Sequence, residues 1–137
     1  MSEHSARGPE RAIDANLNRL REGLRVLEDI NRYIYDEGDL SRRFKRLRHR
    51  VREAWSIERV MHRDAQHDVG RGSTESEMLR DDIGSIVVAN FSRSEESCRV
   101  LEELFKLQKP ELSTLFKELR YELYDLEKET FRIINSF

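Results

Sequence analysis

An asparagine followed three residues later by an arginine occurs twice in the chain, at Asn16 and Arg19 and again at Asn90 and Arg93. On a helical wheel each asparagine falls inside an apolar stripe, where a buried amide needs hydrogen-bond partners. Each arginine falls at the edge of that stripe, and a guanidinium group binds phosphate or carboxylate through parallel hydrogen bonds. The four residues could therefore hold a small polar ring or an anion between helices. The alternative is a polar layer that only fixes helix register, as a buried asparagine does in coiled coils.

These residues belong to a longer internal repeat. Residues 15–28 and 89–102 share the pattern A-N-x-x-R-x-x-E-x-x-R-V-L-E, and residues 40–48 and 112–120 share L-S-x-x-F-K-x-L-R. A helix copied only for packing would keep its apolar stripe, yet Leu17, Leu20 and Leu24 are replaced in the second copy. The polar positions that return unchanged are Asn16, Arg19, Glu22, Arg25 and Glu28, as Asn90, Arg93, Glu96, Arg99 and Glu102. Something other than core packing holds these polar positions.

Part of the repeated pattern has a simpler interpretation. Glu22, Arg25 and Glu28 follow one another at steps of three residues. Such steps favour ion pairs on a solvent-exposed helix face, each worth a few tenths of a kcal/mol. Their return in the second copy weakens this interpretation without removing it.

A second candidate site is the stretch 63–73, where the helical periodicity stops. Thr74 follows it and forms with Glu77 the capping box of a new helix. A helix N-terminus after a glycine turn binds phosphate through its backbone N–H groups, and carboxylates bind Mg²⁺. The residues that could take part are Arg63, Asp64, Asp68, Gly70, Arg71, Gly72 and Thr74. A plain connection between helices explains the same composition, and the stretch has no Walker-A lysine.

Composition narrows the class of protein. A chain of 137 residues forms one domain with a single core. Its net charge of −2 lacks the basic excess of a nucleic-acid-binding protein. The one cysteine, Cys98, excludes an intramolecular disulfide and fits a reducing compartment. Since there is no apolar run of membrane length and no signal peptide, we expect a cytoplasmic protein without membrane contact.

Apolar periodicity predicts four helices. The four predicted stretches are about 9–38, 40–62, 74–108 and 110–137. Pro9 is expected in the first turn of the first helix, after a loose terminus, and Pro110 is expected to open the fourth. His49, His62 and His67 lack the spacing of a zinc site.

The order of the helices predicts the architecture. Short links within each pair favour antiparallel hairpins, and two hairpins can bury each other's apolar faces. We therefore expect an all-α fold, an antiparallel four-helix bundle built from a duplicated helical hairpin. It would be a single domain over 1–137, with pseudo-repeats at about 9–62 and 74–137 joined by the loop 63–73. The two polar motifs would then lie at similar heights.

Taken together, the motifs resemble one known family. It is the small monofunctional hydroxymethylpyrimidine phosphate kinases of thiamine biosynthesis, which often occur fused in front of thiamine-phosphate synthase. The motifs that carry the resemblance are I-D-A-N-L-N-R-L-R-E-G-L-R-V-L-E-D at 13–29, L-R-H at 47–49, R-D-x-x-x-D-V-G at 63–70, T-E-S-E-x-x-R at 74–80 and A-N-F-x-R at 89–93. They cover nearly the whole chain in order.

The resemblance implies transfer of the γ-phosphoryl group of ATP to 4-amino-5-hydroxymethyl-2-methylpyrimidine phosphate, with Mg²⁺. For this reaction our hypothesis is that the catalytic residues are Arg63, Asp64 and Asp68, of which Asp64 and Asp68 would support the metal. The phosphate loop would contain Gly70, Arg71 and Thr74. The substrate-binding residues would be Asn16, Arg19, Glu22, Arg25, Arg80, Asn90, Arg93 and Arg99.

Two further expectations concern partners. The competing interpretation is a non-catalytic helical module that binds a phosphate ligand or assembles a thiamine-pathway enzyme. Under either interpretation a functional association with thiamine-phosphate synthase is expected. The expectation that the protein could form a homodimer rests only on how common homodimers are among soluble proteins.

Overall fold

The computed structural model describes residues 3–72 and 82–136, and every regular element among them is helical. The predicted all-α class is confirmed for this part of the chain. The helices are α1 (Glu3–Asp29), α2 (Gly38–Val51), α3 (Ile57–Val60), α4 (Ile83–Phe105) and α5 (Pro110–Asn135). None of the helices that the structure describes is long and apolar enough to cross a membrane.

The four long helices share one apolar core. α1 packs against α2 and α4, and α4 packs against α5. Phe44 of α2 contacts Phe91 of α4 with ring centroids 5.8 Å apart, and Phe105 stacks on Phe116 of α5 at 5.6 Å. The helices therefore follow one another in space as α2, α1, α4 and α5. That they form a bundle of two duplicated hairpins stays a prediction.

The first helix differs from its prediction at both ends. It begins at Glu3, so Pro9 lies inside α1 and not in its first turn. At the other end a π-helical turn, Ile30–Ile34, follows α1, and Gly38 opens α2 instead of ending the first helix. The buried Asn31 side chain donates to the Leu27 carbonyl, and the chain reverses through Asp36 at φ 54°. Aspartate tolerates this left-handed conformation better than most residues.

The predicted second helix is present, but its predicted end at about His62 is wrong. α2 ends at Val51, a 3₁₀ turn covers Arg52–Ala54, and Trp55 and Ser56 are extended before the short α3. The side chain of Arg59 is buried and donates to the Ala54 carbonyl. In a continuous helix that carbonyl would accept a backbone N–H four residues later. A side chain has replaced the backbone donor, which the apolar periodicity could not reveal.

The predicted starts of the last two long helices compare differently with the structure. Thr74 and Glu77, where the third helix was expected to begin, lie outside the described residues. The described helix α4 begins after Asp82, whose Oδ1 accepts a hydrogen bond from Ser85 N at 2.8 Å. Pro110 is the first residue of α5, as predicted. At this position the missing N–H of proline has no helical partner to lose.

The prediction of a solvent-exposed face is wrong for the last residue of each polar motif. Glu28 is 3% exposed and Glu102 is 5% exposed. Glu28 accepts two hydrogen bonds from Arg48 of α2, at 2.8 and 3.2 Å. Glu102 accepts one from Arg120 of α5 at 3.0 Å. Arg48 and Arg120 are the last residues of the two L-S-x-x-F-K-x-L-R repeats. The two halves of the chain therefore form equivalent ion pairs between consecutive long helices.

These pairs fix how the helices meet. Removing one partner of a buried ion pair typically costs about 3–5 kcal/mol, because it leaves an uncompensated charge. Arg99 adds a second bond to Glu102 at 3.1 Å from the exposed side. Each pair thus holds α1 to α2, or α4 to α5, in one register.

The contact between α1 and α4 depends on a glycine. A Cβ atom placed on Gly23 would lie 2.4 Å from Ser94 Oγ and 3.5 Å from the Asn90 carbonyl oxygen. Ser94 is fully buried, and its hydroxyl has no hydrogen-bond partner among the described residues. The absence of a side chain at Gly23 therefore allows the two helices to approach.

Gly23→Ala should lower the free energy of unfolding by about 1–3 kcal/mol, because the methyl group forces a shift in a packed helix contact. Urea unfolding would measure it. The matched control is Gly8→Ala on the same helix, where nothing lies within 4 Å of an added Cβ. The control should be neutral or stabilising, since alanine favours a helix. Equal effects of the two substitutions would contradict a close approach at Gly23, whereas rescue of Gly23→Ala by Ser94→Ala would support it.

Candidate functional site

Six of the predicted site residues line one open cavity of about 750 Å³, which we call the arginine cavity. It lies between α1, α4 and the segment 61–72. These six residues are Asn16, Arg19, Asp68, Gly70, Arg71 and Arg93. Glu96, the second copy of Glu22, also lines it. The fold thus brings the first turns of both polar motifs together with the loop between them.

The arginine cavity contains uncompensated positive charge. Arg19, Arg71 and Arg93 are exposed, and none has a carboxylate within 4.0 Å in the part of the chain that the structure describes. Three guanidinium groups around one space can bind several phosphate oxygens, each through charge-assisted hydrogen bonds. The acidic residues of the cavity are Asp68 and Glu96. The arrangement is suited to an anionic ligand. A carboxylate of the cavity lies near enough to bind a cation together with that ligand.

The loop at the cavity is held by its own backbone. Oδ1 of Asp68 accepts a hydrogen bond from Gly70 N at 2.9 Å, and Arg71 N donates to the Asp68 carbonyl at 3.2 Å. Such turns are typical of aspartate, whose side chain bonds the backbone two residues on. The turn places Gly70 and Arg71 against α1 and α4. The predicted helix N-terminus at Thr74, and Arg80 beyond it, lie outside the described residues.

A second cavity of about 470 Å³ adjoins the first and shares Asn16, Arg19 and Asp68 with it. Arg63 and Asp64 line this second space, which we call the aspartate cavity. Arg63 forms two hydrogen bonds to the buried carboxylate of Asp14, at 2.8 and 3.0 Å. The hydrogen bonding of Arg63 to the carboxylate of Asp14 raises the pKa of Arg63. The predicted catalytic arginine is therefore already paired.

Sequence reasoning gave Asp14 no role of its own. It stands directly before the repeated motif, and the second copy has Val88 at the equivalent position. Because an unpaired buried carboxylate is costly, Asp14 needs the guanidinium of Arg63. In the sequence, the feature that could have indicated a role for Asp14 was this departure from the repeat. Asp14 anchors the start of the loop to α1.

Asp64 also has partners within the protein. Its carboxylate lies 2.8 Å from His67 Nδ1 and accepts a hydrogen bond from His67 N at 3.1 Å. The hydrogen bond from the His67 side chain lowers the pKa of Asp64. Arg7 approaches the same carboxylate at 3.5 Å. Asp64 is held as an anion at the wall of the aspartate cavity.

The metal prediction can be compared with this geometry. Residues 3–72 and 82–136 contain no group of three or more His, Cys, Asp or Glu side chains placed to hold a metal ion. Mg²⁺, however, is usually bound by one or two carboxylates together with substrate phosphates and water. Asp64 and Asp68 both line the aspartate cavity. These two residues fit Mg²⁺ that arrives with a phosphorylated ligand.

The two repeated asparagines bond to their own helices. Asn16 Nδ2 donates to the Ala12 carbonyl, and Asn90 Nδ2 donates to the Ile86 carbonyl, both at 2.8 Å. One N–H of each amide is therefore already used. Asn16 still lines both cavities, whereas Asn90 lies beside Gly23 at the contact of α1 with α4.

Three further predicted residues that the structure describes, Glu22, Arg25 and Arg99, do not line these cavities. Arg25 pairs with Asp29 at 3.3 Å on the exposed face of α1. Arg99 pairs with Glu102 and Glu103. Glu22 is exposed, and its charge contributes to the raised pKa of Arg63. The last turns of the two polar motifs thus serve helix contacts, while their first turns serve the cavities.

One further carboxylate has an unusual environment. Glu95 of α4 is next to Glu96 in the chain and faces Glu127 of α5. Burial of the Glu95 carboxyl raises its pKa to about 8, and the hydrogen bond and charge of Glu127 add to this. Its Oε2 atom is buried without a hydrogen-bond donor among the described residues. Glu95 therefore keeps a proton that an exposed glutamate would lose.

Comparison with known proteins gives a family match. The model of the ThiD2 family matches residues 11–129. The thiamine-phosphate synthase of Synechocystis sp. is 39% identical over 128 residues, which are 93% of this chain and 37% of the relative. That of Nostoc punctiforme is 41% identical over 118 residues, covering 85% and 34%. That of Rhodopirellula baltica is 35% identical over 134 residues, covering 94% and 36%.

The lengths in these comparisons differ greatly. The chain spans about a third of the length of the curated relatives it matches. No solved structure matches the chain significantly. The family match covers most of α1 and α5, all of α2, α3 and α4, and the segment between α3 and α4.

Glu95 gives a pH dependence of stability with a definite sign. Between about pH 4.5 and pH 8 the folded protein keeps a proton that the unfolded chain has lost. Stability should therefore fall as the pH rises through this window. Urea unfolding at about pH 5 and about pH 8 would measure the fall, which Glu95→Gln should reduce. Glu58→Gln, at an exposed position of α3, is the control and should leave the fall unchanged. A Glu95→Gln protein with the same fall would remove Glu95 as its cause.

Proposed function

The chain belongs to the ThiD2 family, and we propose from this premise that it acts in thiamine biosynthesis as an ATP-dependent kinase. The acceptor is 4-amino-5-hydroxymethyl-2-methylpyrimidine phosphate, and the product is its diphosphate. An acceptor phosphate oxygen attacks the γ-phosphorus of ATP, the bond from that phosphorus to the β–γ bridging oxygen breaks, and ADP leaves. The relatives named thiamine-phosphate synthase support the pathway.

The observation that carries the proposal is the set of unpaired arginines in the arginine cavity. Arg19 comes from the first motif, Arg93 from the second and Arg71 from the loop between them. Transfer between two phosphorylated substrates brings several negative charges together. The protein must offset this repulsion and align the two groups, and little covalent chemistry remains for it to do. Three guanidinium groups around one cavity are suited to that task.

No side chain among the described residues is an obvious general base, which is consistent with this reaction. The acceptor oxygen is already an anion, so no hydroxyl has to lose a proton. Within the described residues, Cys98 is buried and burial raises its pKa, so it is not an activated nucleophile. A site that requires the phosphate of its acceptor would reject the free alcohol, because binding arginines would be left unpaired.

Asp64 and Asp68 would hold Mg²⁺ in the proposed site. When bound, Mg²⁺ would offset part of the phosphate charge. His67 and Arg7 keep Asp64 anionic, and the turn at Asp68 positions the second carboxylate. Asn16 lies at the border of the two cavities, where its amide would orient a ligand. Arg63, fixed by Asp14, would position the loop that carries both aspartates.

A second candidate function is favoured by the lengths of the relatives. This chain corresponds to only about a third of proteins named for another thiamine-pathway activity. A non-catalytic helical module that binds a phosphate ligand, or assembles such an enzyme, would also account for this relation. It would bind ligand in the same cavities without turnover.

The deciding experiment is ³¹P NMR of the purified protein with Mg-ATP and the pyrimidine monophosphate. A new diphosphate and ADP should appear, and free hydroxymethylpyrimidine should give no product. Chelation of Mg²⁺ by EDTA should stop the reaction. If a folded protein forms no diphosphate, the kinase assignment is wrong and the non-catalytic module takes its place.

Arg19→Ala and Arg93→Ala should each raise the KM of at least one substrate by roughly 10- to 100-fold, the worth of a hydrogen bond to a charged group. Steady-state kinetics with each substrate varied in turn would assign each arginine to donor or acceptor. Arg46→Ala is the matched control, since Arg46 is exposed on α2 and lines neither cavity. Unchanged KM values in both variants would return these arginines to a structural role.

A further inference from the structure

A separate cavity of about 340 Å³ lies on the side of α1 that faces α2. Leu17 and Val51 form its apolar floor, and both are at least 94% buried. Trp55 stands at its wall with 53% of its surface exposed. We call it the tryptophan cavity. Large exposed aromatic side chains beside a buried apolar floor are typical of ligand sites.

The break after α2 creates this cavity. Because the Ala54 carbonyl is taken by Arg59, the chain leaves the helix and Trp55 is extended, at φ −69° and ψ 142°. The second half of the chain has no such break, since α5 continues to Asn135. The exposed indole is therefore a specific consequence of the first half and not of the repeated pattern.

The charges at the tryptophan cavity favour an anionic ligand. Among the described residues, its charged side chains are Arg21, Arg48 and Arg52, and no carboxylate lines it. Arg48 is neutralised by Glu28, whereas the polar partner of Arg21 in this part of the chain is the Asn18 amide oxygen, at 2.9 Å. Arg52 has no ion-pair partner in the described part of the chain. Two uncompensated guanidinium groups thus stand beside an aromatic wall.

Trp55 also lines another cavity of about 340 Å³, which has a different charge balance. Its charged residues are Glu10, Glu53, Glu58, Arg59 and Lys109, and Arg59 is paired with Glu10 at 2.9 Å. The two remaining glutamates outweigh Lys109, so this cavity is less suited to a phosphorylated ligand. Charge therefore selects the side of the indole that faces Arg21 and Arg52.

The tryptophan cavity continues toward the proposed reaction site. Asn18 of α1 lines both the tryptophan cavity and the aspartate cavity. Arg19, Asp64 and Asp68 line the aspartate cavity. A ligand with an aromatic ring at one end and phosphates at the other could occupy both spaces along α1.

We propose that the tryptophan cavity binds the base of a nucleotide, stacked on Trp55, with Arg21 and Arg52 along its sugar-phosphate side and its terminal phosphates directed past Asn18. The identification of this nucleotide as the phosphoryl donor rests on the proposed function. Stacking of a base on an aromatic side chain requires only a π face. The guanidinium groups add charge-assisted hydrogen bonds.

Trp55 is the only tryptophan of the chain, so its fluorescence reports on the two cavities that it lines, and the Arg52 variant below distinguishes them. Titration with ADP should change the fluorescence and saturate. Inorganic triphosphate should bind without the same change, because it has no ring to stack. If the pyrimidine monophosphate changes the fluorescence and ADP does not, the cavity belongs to the acceptor ring and the proposal is wrong.

Two variants test the contacts by calorimetric ADP titration. Trp55→Leu should weaken ADP binding by roughly tenfold, within the range known for base stacking. Arg52→Ala should weaken it by a similar factor and retain the fluorescence reporter. The matched controls are Tyr33→Leu and Arg46→Ala, exposed residues outside the cavity, which should bind ADP normally. Wild-type ADP affinity in both test variants would overturn the proposal.

The outcomes separate this inference from the proposed function. Diphosphate formation that is insensitive to Trp55→Leu and Arg52→Ala at low ATP concentration would leave the kinase standing and remove the nucleotide from this cavity. Saturable ADP binding that depends on both residues, without any diphosphate formation, would keep the cavity and remove the kinase.

Discussion

The buried carboxylates of Glu28 and Glu102 constrain the rest of this structure. Each is almost excluded from water and bonded to an arginine of the next long helix, Arg48 or Arg120. A contact between apolar side chains tolerates small sliding movements of one helix along another. A buried charged group needs its oppositely charged partner within hydrogen-bond distance. The pairs therefore fix the register of α1 on α2 and of α4 on α5. Asn16 precedes Glu28 by 12 residues on α1, so the two lie about 18 Å apart along the helix axis.

This separation explains why both copies of the motif kept their polar residues. The last turn of each copy supplies the buried carboxylate and its surroundings. The first turn supplies Arg19 or Arg93, which meet at the arginine cavity. Between these two layers the helices touch at Gly23 and Ser94, where no larger side chain fits. One sequence pattern thus contains a layer of helix contacts and a layer that lines the proposed ligand site, and the identical residue types conceal the difference.

Local sequence patterns predicted the features that depend on neighbours along the chain. The helical class, the apolar stripes and the start of α5 at Pro110 follow from periodicity and from the missing N–H of proline. The features that failed depend on partners distant in sequence. Glu28 is buried because Arg48 reaches it, and the helix breaks at Trp55 because Arg59 takes a backbone carbonyl. The loop residues were predicted from composition, but the pairing of Arg63 with Asp14 could be seen only in the fold.

The two halves differ most where the proposed chemistry lies. After the repeated L-S-x-x-F-K-x-L-R pattern the first half breaks, exposes Trp55 and forms the loop with Asp64 and Asp68. The second half continues as one helix through Asn135. A fully symmetric pair of hairpins would present the same site twice and bind one ligand twice. Transfer between two unlike phosphorylated molecules needs unlike sites that share a phosphate region. In the proposed reaction the common arginines would supply that shared region, and the irregular first half would supply the difference.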